Sequence, residues 1–388
     1  MPSFYFTPDE MCTTLKLEMK RIHDFFMANG WKPAPGAFEA DVVLCATCSG
    51  WSKLERNSLN TLASLQNIPG TLVSVGCTNE VNPGAVDGVH AGRKISTRHL
   101  QEIELLAGDI KVRFADVPAP STFRSRDDYR LFDLTKRFVN ICMGCSFSCT
   151  YCPHCVGLGK LRSRSEKDIL GQVRRLVDEG VRVVVLTGME TAQYGRDIGT
   201  TFPRLLSRVL ELDAGYAVHV AQFHPLGVAQ YASELVALFS NGRVTDIQIP
   251  IQTTSHRLLK MMNRPPLSEH FFESLGRIRA ANPKAILRTD LIVGFPTEEM
   301  EELDATLASV TACFDEVAVY GIELRKGLPA EKYMPLQYSR REIERRIAYA
   351  MRVVESRGCL SHGGQQADVS LVEIEARKQT MRKVKGQL

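Results

Sequence analysis

Continuous apolar runs alternate with amphipathic stretches in the first hundred residues, and this alternation predicts an α/β unit. Residues 13–28 and 52–66 carry apolar side chains at helical spacing, whereas 41–46 and 71–76 are short apolar runs typical of buried strands. Another apolar stretch begins at Tyr5. Because predicted helices separate the predicted strands, we expect a parallel sheet.

From residue 138 the alternation becomes a βα pattern that repeats six times. The predicted strands are 138–143, 181–186, 216–223, 244–251, 285–293 and 316–324. The predicted helices between them are 166–179, 203–212, 232–240, 268–281 and 299–313. Six units are fewer than the roughly eight of a closed barrel, so we expect an open, partial (βα)6 barrel with ligands at the carboxyl ends of its strands.

These patterns divide the chain into four parts. Residues 1–110 are predicted to form an N-terminal α/β domain, and 138–335 the partial barrel, here called the barrel domain. Residues 111–137 are predicted to be a linker, because they contain prolines and a charged run. Residues 336–388 combine a helix, predicted at 339–355, with a strand-like run and a basic tail.

The composition, with 44% apolar and 24% charged residues in a chain of 388, is that of a globular protein. The net charge of +4 is compatible with a nucleic-acid partner but does not by itself favour one. No apolar run approaches the roughly 18 residues of a membrane span, and the first residues lack a signal-peptide pattern, so we expect a cytoplasmic protein. Eleven cysteines in that compartment indicate metal binding or catalysis, because thiols stay reduced there.

Three cysteines with the spacing C-x3-C-x2-C follow the first strand of the barrel domain: Cys145, Cys149 and Cys152. Thiolates in a short loop are the usual ligands of iron–sulfur clusters, and three of them leave one iron of a four-iron cluster open. Zinc knuckles normally stand about 12–20 residues apart, which disfavours zinc. A ferredoxin would use Cys155 and a further cysteine, but residue 159 is Gly. Buried, unligated cysteines are disfavoured, because a polar loop would not hold so many of them.

A second group of cysteines lies just beyond the ends of three predicted strands of the N-terminal domain. Cys12, Cys48 and Cys77 would share one edge of a parallel sheet, where α/β sheets bind ligands. The alternative is three small apolar residues at strand ends. The shared topology favours a second three-thiolate site.

Several segments match, in order, the motifs of one family. They are GCSFSCTYC (144–152), VVVLTGMETAQYGRDIG (183–199), IPIQTTSHRLLKMMNR (249–264), RTDLIVGFPTEE (288–299) and RKGLPA (325–330). Over residues 1 to about 355 the sequence resembles the radical S-adenosylmethionine (radical SAM) superfamily. Within it the chain is most similar to the methylthiotransferases, closest to the branch that acts on threonylcarbamoyl-adenosine in tRNA.

The resemblance implies a mechanism with two 4Fe-4S clusters. Cys145, Cys149 and Cys152 would hold the radical SAM cluster, whose open iron chelates S-adenosylmethionine. One electron, from a donor such as flavodoxin or ferredoxin, would cleave the cofactor to a 5′-deoxyadenosyl radical that abstracts hydrogen from substrate. An auxiliary cluster on the second group would present methylated sulfur, converting C–H to C–SCH3.

The resemblance also implies a set of cofactor-binding residues: Tyr151, Thr187, Gly188, Glu190, Gln252, Thr253 and Arg264. The Glu190 carboxylate suits the amino group of the cofactor. Gln252 and Thr253 would meet its ribose or adenine, and Arg264 its carboxylate. His224 matches a His–Pro of the family. Each residue also has an alternative role. Thr187, Gly188 and Glu190 could form a solvated loop, and Gln252 and Thr253 could be ordinary polar strand ends. Arg264 could be a helix-end cation and His224 a structural histidine.

The sequence departs from the family at several points. Met11 stands where the family has Gly before the first cysteine, Gln248 replaces a His, and Thr297 replaces a Gly. The family's C-terminal TRAM domain, which grips the substrate, is expected to be lacking, because only about thirty residues follow the last predicted helix. The substrate is therefore predicted as a tRNA nucleoside, a peptide or a small molecule.

Three hypotheses for function follow. The first is a radical methylthiotransferase with two clusters. The second keeps radical chemistry at a C–H bond but gives the N-terminal cluster a structural or electron-relaying role. The third is a non-catalytic iron–sulfur or RNA-binding protein, which the retained cofactor motifs disfavour.

Overall fold

Two parallel sheets organise the protein in the computed structural model, which describes residues 1–7, 11–122, 136–212, 215–335 and 337–363. The charged part of the predicted linker, the strand-like run and the basic tail lie outside these residues. Among the described residues no helix is long and apolar enough to cross a membrane.

The first sheet has five parallel strands in the order β2-β1-β3-β4-β5. In chain order its half of the protein contains β1 (Ser3–Phe6), α1 (Thr13–Ala28), β2 (Lys32–Pro33), β3 (Val42–Thr47), α2 (Ser52–Ser64), β4 (Thr71–Gly76), α3 (Thr78–Val81), α4 (Pro83–Asp87) and β5 (Arg93–Ser96). The two buried strands and two long helices predicted here are confirmed within two residues. The edge strands β2 and β5 were not predicted, because short polar strands carry little apolar pattern.

The second sheet has eight strands in the order β13-β12-β11-β10-β9-β8-β6-β7. Its half of the protein contains β6 (Lys136–Met143), α5 (His154–Leu158), β7 (Arg162–Ser163), α6 (Glu166–Asp178), β8 (Val183–Gly188), α7 (Phe202–Leu210), β9 (Ala217–Val220), α8 (Pro225–Gln230), α9 (Ala232–Phe239), β10 (Val244–Gln248), α10 (His256–Met261), α11 (Phe271–Ala281), β11 (Ile286–Val293), α12 (Met300–Cys313), β12 (Glu316–Gly321), α13 (Arg340–Ser356) and β13 (Leu360–Gly363). The prediction of six consecutive parallel strands with intervening helices is confirmed, as is an open sheet. The antiparallel β7 and the parallel β13 add an edge strand at either side.

Three of the six strands end earlier than predicted, and β9 does so just before the backbone turns. Gln222, two residues after β9, has a φ of 56°. This left-handed conformation is incompatible with a continuing strand. The polar residues that were predicted as strand ends therefore form the rim of the sheet.

The two halves of the protein meet beside the loop that follows β6. The Thr97 hydroxyl donates to the carbonyl oxygen of Gly157 at 2.6 Å, and Arg98 donates to the carbonyl oxygen of Val156. Each half packs around its own apolar cores, so these contacts between the halves are largely polar. They bring the carboxyl edges of the two sheets next to one another.

Candidate functional site

A cavity of about 290 Å³ lies at the carboxyl ends of the barrel strands, where a partial barrel is expected to bind its ligands. The strand ends from β8 to β12 and the loop after β6 form most of its wall, and Gly50 and Trp51 contribute from the first half of the chain. Its side chains with polar or ionisable groups include Cys145, Cys149, Tyr151, Cys152, His154, Glu190, Gln222, His224, Gln248, Gln252, Arg264, Asp290, Tyr320, Glu323 and Arg325.

The loop that carries the first cysteine group is held by close backbone packing. Gly144 has a φ of 75°, and a Cβ there would come within 2.1 Å of the carbonyl oxygen of Lys160, so only glycine fits. The side-chain amide of Asn263 donates to the carbonyl oxygen of Ser148 at 2.9 Å and to its hydroxyl at 3.0 Å. These contacts place the loop 145–152 against the cavity.

Cationic and ring-nitrogen groups contact two of the three thiols. Nη1 of Arg264 lies 3.6 Å from Sγ of Cys149, and Nδ1 of His154 lies 3.3 Å from Sγ of Cys152. Burial raises the pKa of Cys145 to about 12. Burial also acts on Cys152, but the imidazole of His154 outweighs it, and the pKa of that thiol is lowered. A metal centre that replaces the thiol protons would offset the cost of burying these groups as thiolates.

Two polar atoms on the cavity wall are buried without a hydrogen-bond partner in the part of the chain that the structure describes: Oε1 of Glu190 and Nε2 of His224. Burial raises the pKa of Glu190 to about 8, against the opposing effects of Arg264 and of backbone N–H groups. Nδ1 of His224 accepts a hydrogen bond from the backbone N–H of Leu226 at 3.2 Å, so the neutral ring carries its proton on Nε2. The cavity therefore offers one carboxyl oxygen and one neutral ring N–H to a ligand.

Of the seven cofactor-binding residues predicted from sequence, the structure places four on the cavity wall: Tyr151, Glu190, Gln252 and Arg264. Thr187, Gly188 and Thr253 are not among the lining residues. A Cβ at Gly188 would come within 2.6 Å of Sγ of Cys142, so this glycine allows β6 and β8 to pack closely. The hydroxyl of Thr253 contacts that of Thr306 at 3.2 Å, which turns it away from any ligand in the cavity.

The second cysteine group is brought together as the sheet topology predicts. Cys12 precedes α1, Cys48 follows β3 and Cys77 follows β4. Sγ of Cys77 accepts a hydrogen bond from the backbone N–H of Ser49 at 3.2 Å, and Sγ of Cys48 accepts one from Gly50 at 3.4 Å. The loop after β3 therefore lies between the sulfur atoms of the group.

The three thiols of this group interact directly. Hydrogen bonds from Cys12 and Cys77 lower the pKa of Cys48 well below its ordinary value. The same hydrogen bonds, followed by burial, raise the pKa of Cys12 and of Cys77. Three interacting sulfur atoms are a cluster of soft donors, which suits a thiophilic metal centre.

Neither group is placed to hold a single metal ion directly, since no three His, Cys, Asp or Glu side chains among the described residues meet around one point. A four-iron cluster has a different requirement, because each thiolate binds a different iron atom. Three thiols on one loop or on one sheet edge fit that requirement. Oε1 of Glu190, which has no hydrogen-bond partner among the described residues, lies beside the first group and fits the ammonium group of an amino-acid cofactor.

Several residues of the cavity wall were not predicted from the sequence as part of the site. Nε2 of Gln248 donates to both carboxylate oxygens of Asp290, at 2.9 and 3.1 Å. Burial raises the pKa of Asp290, although this hydrogen bond opposes the shift. The rings of Trp51 and Tyr320 lie 5.1 Å apart at the boundary of the two halves. Position at a strand end was the available signal for Asp290 and Tyr320, and proximity to Cys48 was the signal for Trp51.

Comparisons with known proteins agree with this geometry. The family model of the Radical SAM superfamily matches residues 139–310. The tRNA-2-methylthio-N(6)-dimethylallyladenosine synthase of Moorella thermoacetica is 28% identical over an alignment of 341 residues, and the match covers 82% of this chain and 75% of that protein. The same-named protein of Bacillus thuringiensis is 28% identical over an alignment of 343 residues, and the match covers 82% of this chain and 66% of that protein.

A solved structure supports the fold. The radical S-adenosylmethionine methyltransferase TsrM from Kitasatospora setae, with cobalamin and a 4Fe-4S cluster bound, superposes with a TM-score of 0.63 at 11% identity. The match covers 85% of this chain and 74% of that chain. At this identity the similarity concerns the fold alone. Both named synthases are dimethylallyladenosine enzymes, so the threonylcarbamoyl-adenosine branch stays a prediction.

Proposed function

Because the chain belongs to the radical SAM superfamily and is related over 82% of its length to methylthiotransferases, we propose that it inserts sulfur, as a methylthio group, at an unactivated C–H bond. The superfamily uses a 4Fe-4S cluster and S-adenosylmethionine, and the chain is an enzyme of this class. The names of its relatives favour a tRNA nucleoside as substrate. A peptide and a small molecule are the alternatives.

In this proposal Cys145, Cys149 and Cys152 hold the radical SAM cluster. When bound, that cluster supplies the electron that cleaves S-adenosylmethionine to a 5′-deoxyadenosyl radical. Glu190 binds the amino group of the cofactor through its unpartnered Oε1, and Arg264 pairs with the carboxylate. The cavity wall orients both reactants and excludes water from the radical.

Cys12, Cys48 and Cys77 hold the auxiliary cluster that donates the sulfur. One observation carries this part of the proposal: the loop that follows Cys48 contributes Gly50 and Trp51 to the wall of the cavity that the first cysteine group lines. Gly50, which lines the cavity, lies so close to Cys48 that a Cβ on it would be 3.4 Å from Sγ. A substrate in the cavity would therefore lie against the loop that follows Cys48 as well as against the first cysteine group.

The second candidate function keeps radical chemistry without sulfur insertion. In that case the N-terminal cluster is structural or relays electrons, and the three thiols need only be held in place. The polar contacts between the two halves of the chain are compatible with both functions. Reduced flavodoxin or ferredoxin is the proposed electron donor in either case.

The test compares two triple variants under anaerobic conditions. After reconstitution the unmodified protein should bind about eight irons, and each variant (C12A/C48A/C77A or C145A/C149A/C152A) about four. The first variant should still form 5′-deoxyadenosine but no methylthio product on bulk tRNA, and the second should form neither. A first variant that still methylthiolates would overturn the sulfur-donor role. Retained 5′-deoxyadenosine formation by the second would overturn the cluster assignment.

A further inference from the structure

Two side chains from the segment after β12 contact the loop that carries Cys48. Nη1 of Arg325 donates to the carbonyl oxygen of Ser49, and Oε2 of Glu323 accepts from the backbone N–H and the hydroxyl of Ser52, both at 2.8 Å. Nη2 of Arg325 lies 3.1 Å from Oε2 of Glu323, so the two side chains also pair with each other. We call Glu323 and Arg325 the clamp.

The clamp supplies what α2 lacks. The residue before α2, Trp51, makes no side-chain capping hydrogen bond, so the first N–H groups of the helix need another acceptor. Glu323 provides a carboxylate at the N-terminal end of α2, where the helix dipole favours negative charge. A residue of the barrel domain thus caps a helix of the N-terminal domain, 271 positions away in sequence.

The clamp residues are shielded and lie where the cavity and the second cysteine group meet. Their side chains are only 10% exposed for Arg325 and 15% for Glu323, and both line the cavity. A Cβ at Gly327, two residues further on, would come within 3.0 Å of the carbonyl oxygen of Val81, in the helix that follows Cys77. The segment 323–327 therefore approaches the loops that follow both Cys48 and Cys77.

From this geometry we infer that Arg325, with Glu323, is a positioning residue that fixes the second cysteine group relative to the first across the cavity. The inference rests on the proposed function, because it assigns the clamp to the transfer of sulfur. Arg325 binds the backbone before Gly50, and Glu323 binds it after Trp51. The guanidinium donates to three acceptors: the carbonyl oxygen of Ser49, Oε2 of Glu323 and, at 3.5 Å, Oε2 of Glu55. A lysine ammonium lacks the planar set of N–H groups that makes these contacts together.

The first test uses the cluster-free protein and hydrogen–deuterium exchange. In Arg325→Met and in Glu323→Ala, amides of residues 48–58 should exchange about tenfold faster, the effect of losing hydrogen bonds to a charged group. Arg98→Met is the matched control, because Arg98 also crosses between the halves but contacts the carbonyl oxygen of Val156 and the carboxylate of Glu80 instead. It should accelerate exchange near residues 154–158 and 78–81 and leave exchange at 48–58 unchanged. Unchanged exchange at 48–58 in both clamp variants would overturn the inference.

The second test uses the reconstituted enzyme with S-adenosylmethionine and bulk tRNA. Arg325→Met should form 5′-deoxyadenosine within about twofold of the native rate while the methylthio product per 5′-deoxyadenosine falls about ten- to a hundredfold, as expected for misplaced reactants. Arg325→Lys should restore part of this ratio. A native ratio despite faster exchange would overturn the positioning role. Failure of the unmodified protein to methylthiolate would instead count against the proposed function, and the exchange result alone would then decide whether the clamp holds the loop.

Discussion

At the scale of single residues, His224 shows how a buried side chain acquires a defined hydrogen-bonding role. Its ring stacks on Phe147 with centroids 4.0 Å apart, and burial lowers its pKa well below the ordinary value. Because Leu226 donates to Nδ1, the neutral ring is left with a donor at Nε2, which no described residue accepts. An acceptor on the bound cofactor or substrate is the expected partner.

A pair of substitutions separates the two ring nitrogens of His224. In His224→Asn the amide oxygen can replace Nδ1 at the start of α8, but the donor at Nε2 is lost. We expect S-adenosylmethionine to bind this variant about tenfold more weakly, as for one lost hydrogen bond. In His224→Gln the amide reaches the Nε2 position and affinity should stay near native. Calorimetric titration of the reconstituted variants gives the comparison, and equal affinities would exclude the Nε2 contact.

The raised pKa of Glu298 predicts that the stability of the protein depends on pH. Its side chain is 2% exposed, and its Oε2 accepts from the backbone N–H of Gly294 at 2.7 Å and from Arg346 at 3.1 Å. Burial, against both of these contacts, raises its pKa from 4.5 to about 7. The native state then binds the proton more tightly than the unfolded chain, so the free energy of unfolding falls as pH rises from 4.5 to about 7 and is level above.

Urea unfolding of the cluster-free protein at pH 5 and pH 8 measures this effect. The contribution of Glu298 is at most about 1.4 kcal/mol per pH unit within that window. Glu298→Gln keeps a neutral acceptor but does not titrate, so the difference in unfolding free energy between the two pH values should shrink. The same difference in both proteins would show that Glu298 ionises normally.

At the scale of elements, the turn between β11 and α12 stores backbone strain. Thr297 has a φ of 68°, which β-branched residues rarely adopt, at the position where the resembling family has glycine. Its hydroxyl accepts from Arg257 at 2.7 Å, and Arg257 also pairs with Glu302. These hydrogen bonds offset part of a strain of about 1–3 kcal/mol.

Thr297→Gly should therefore raise the free energy of unfolding by up to about 1 kcal/mol. The strain energy that the glycine relieves is larger than the combined cost of the lost hydrogen bond and of the greater conformational entropy of glycine in the unfolded chain. Thr297→Ala is the matched control, because it keeps the strained Cβ and loses the hydroxyl. It should be less stable than the unmodified protein. Denaturant unfolding ranks the three proteins, and a glycine variant less stable than the alanine variant would contradict the account.

At the scale of the whole molecule, the two cysteine groups are joined by a close approach of helices. A Cβ on Gly157, in α5, would lie 2.7 Å from Cβ of Cys77 and 3.3 Å from a side-chain carbon of Val81. Glycine at this position lets the segment that follows the first cysteine loop pack directly on the second group. The distance between the two cysteine groups thus depends on residue 157 having no side chain.

Gly157→Ala should push α5 away from Cys77 and reduce the retention of iron by the second group, from about eight irons per chain towards about four. Gly276→Ala is the control, because a Cβ at this position of α11 meets nothing within 4 Å. It should bind iron normally and be up to about 1 kcal/mol more stable, since alanine favours a helix. Iron analysis and thermal unfolding test both, and full iron binding by the first variant would show that α5 can shift without cost to the second group.

The sequence by itself determined the order of strands and helices, the open parallel sheet and the two groups of cysteines. Apolar periodicity reports which face of each element is buried, and C-x3-C-x2-C brings its thiols together within one short loop. Cys12, Cys48 and Cys77 were predictable as a group because carboxyl ends of parallel strands share one edge. All of these depend on local spacing or on a topological rule.

Only the tertiary structure decided which polar residues face the cavity and how the two halves are joined. Gln252 lines the cavity, whereas the hydroxyl of the adjacent Thr253 contacts Thr306 instead. The contacts of Arg325 and Glu323 with residues 49–52 join segments about 270 positions apart, and no periodicity records such a pairing. Side-chain direction and long-range packing depend on all elements at once, which explains why spacing alone does not specify them.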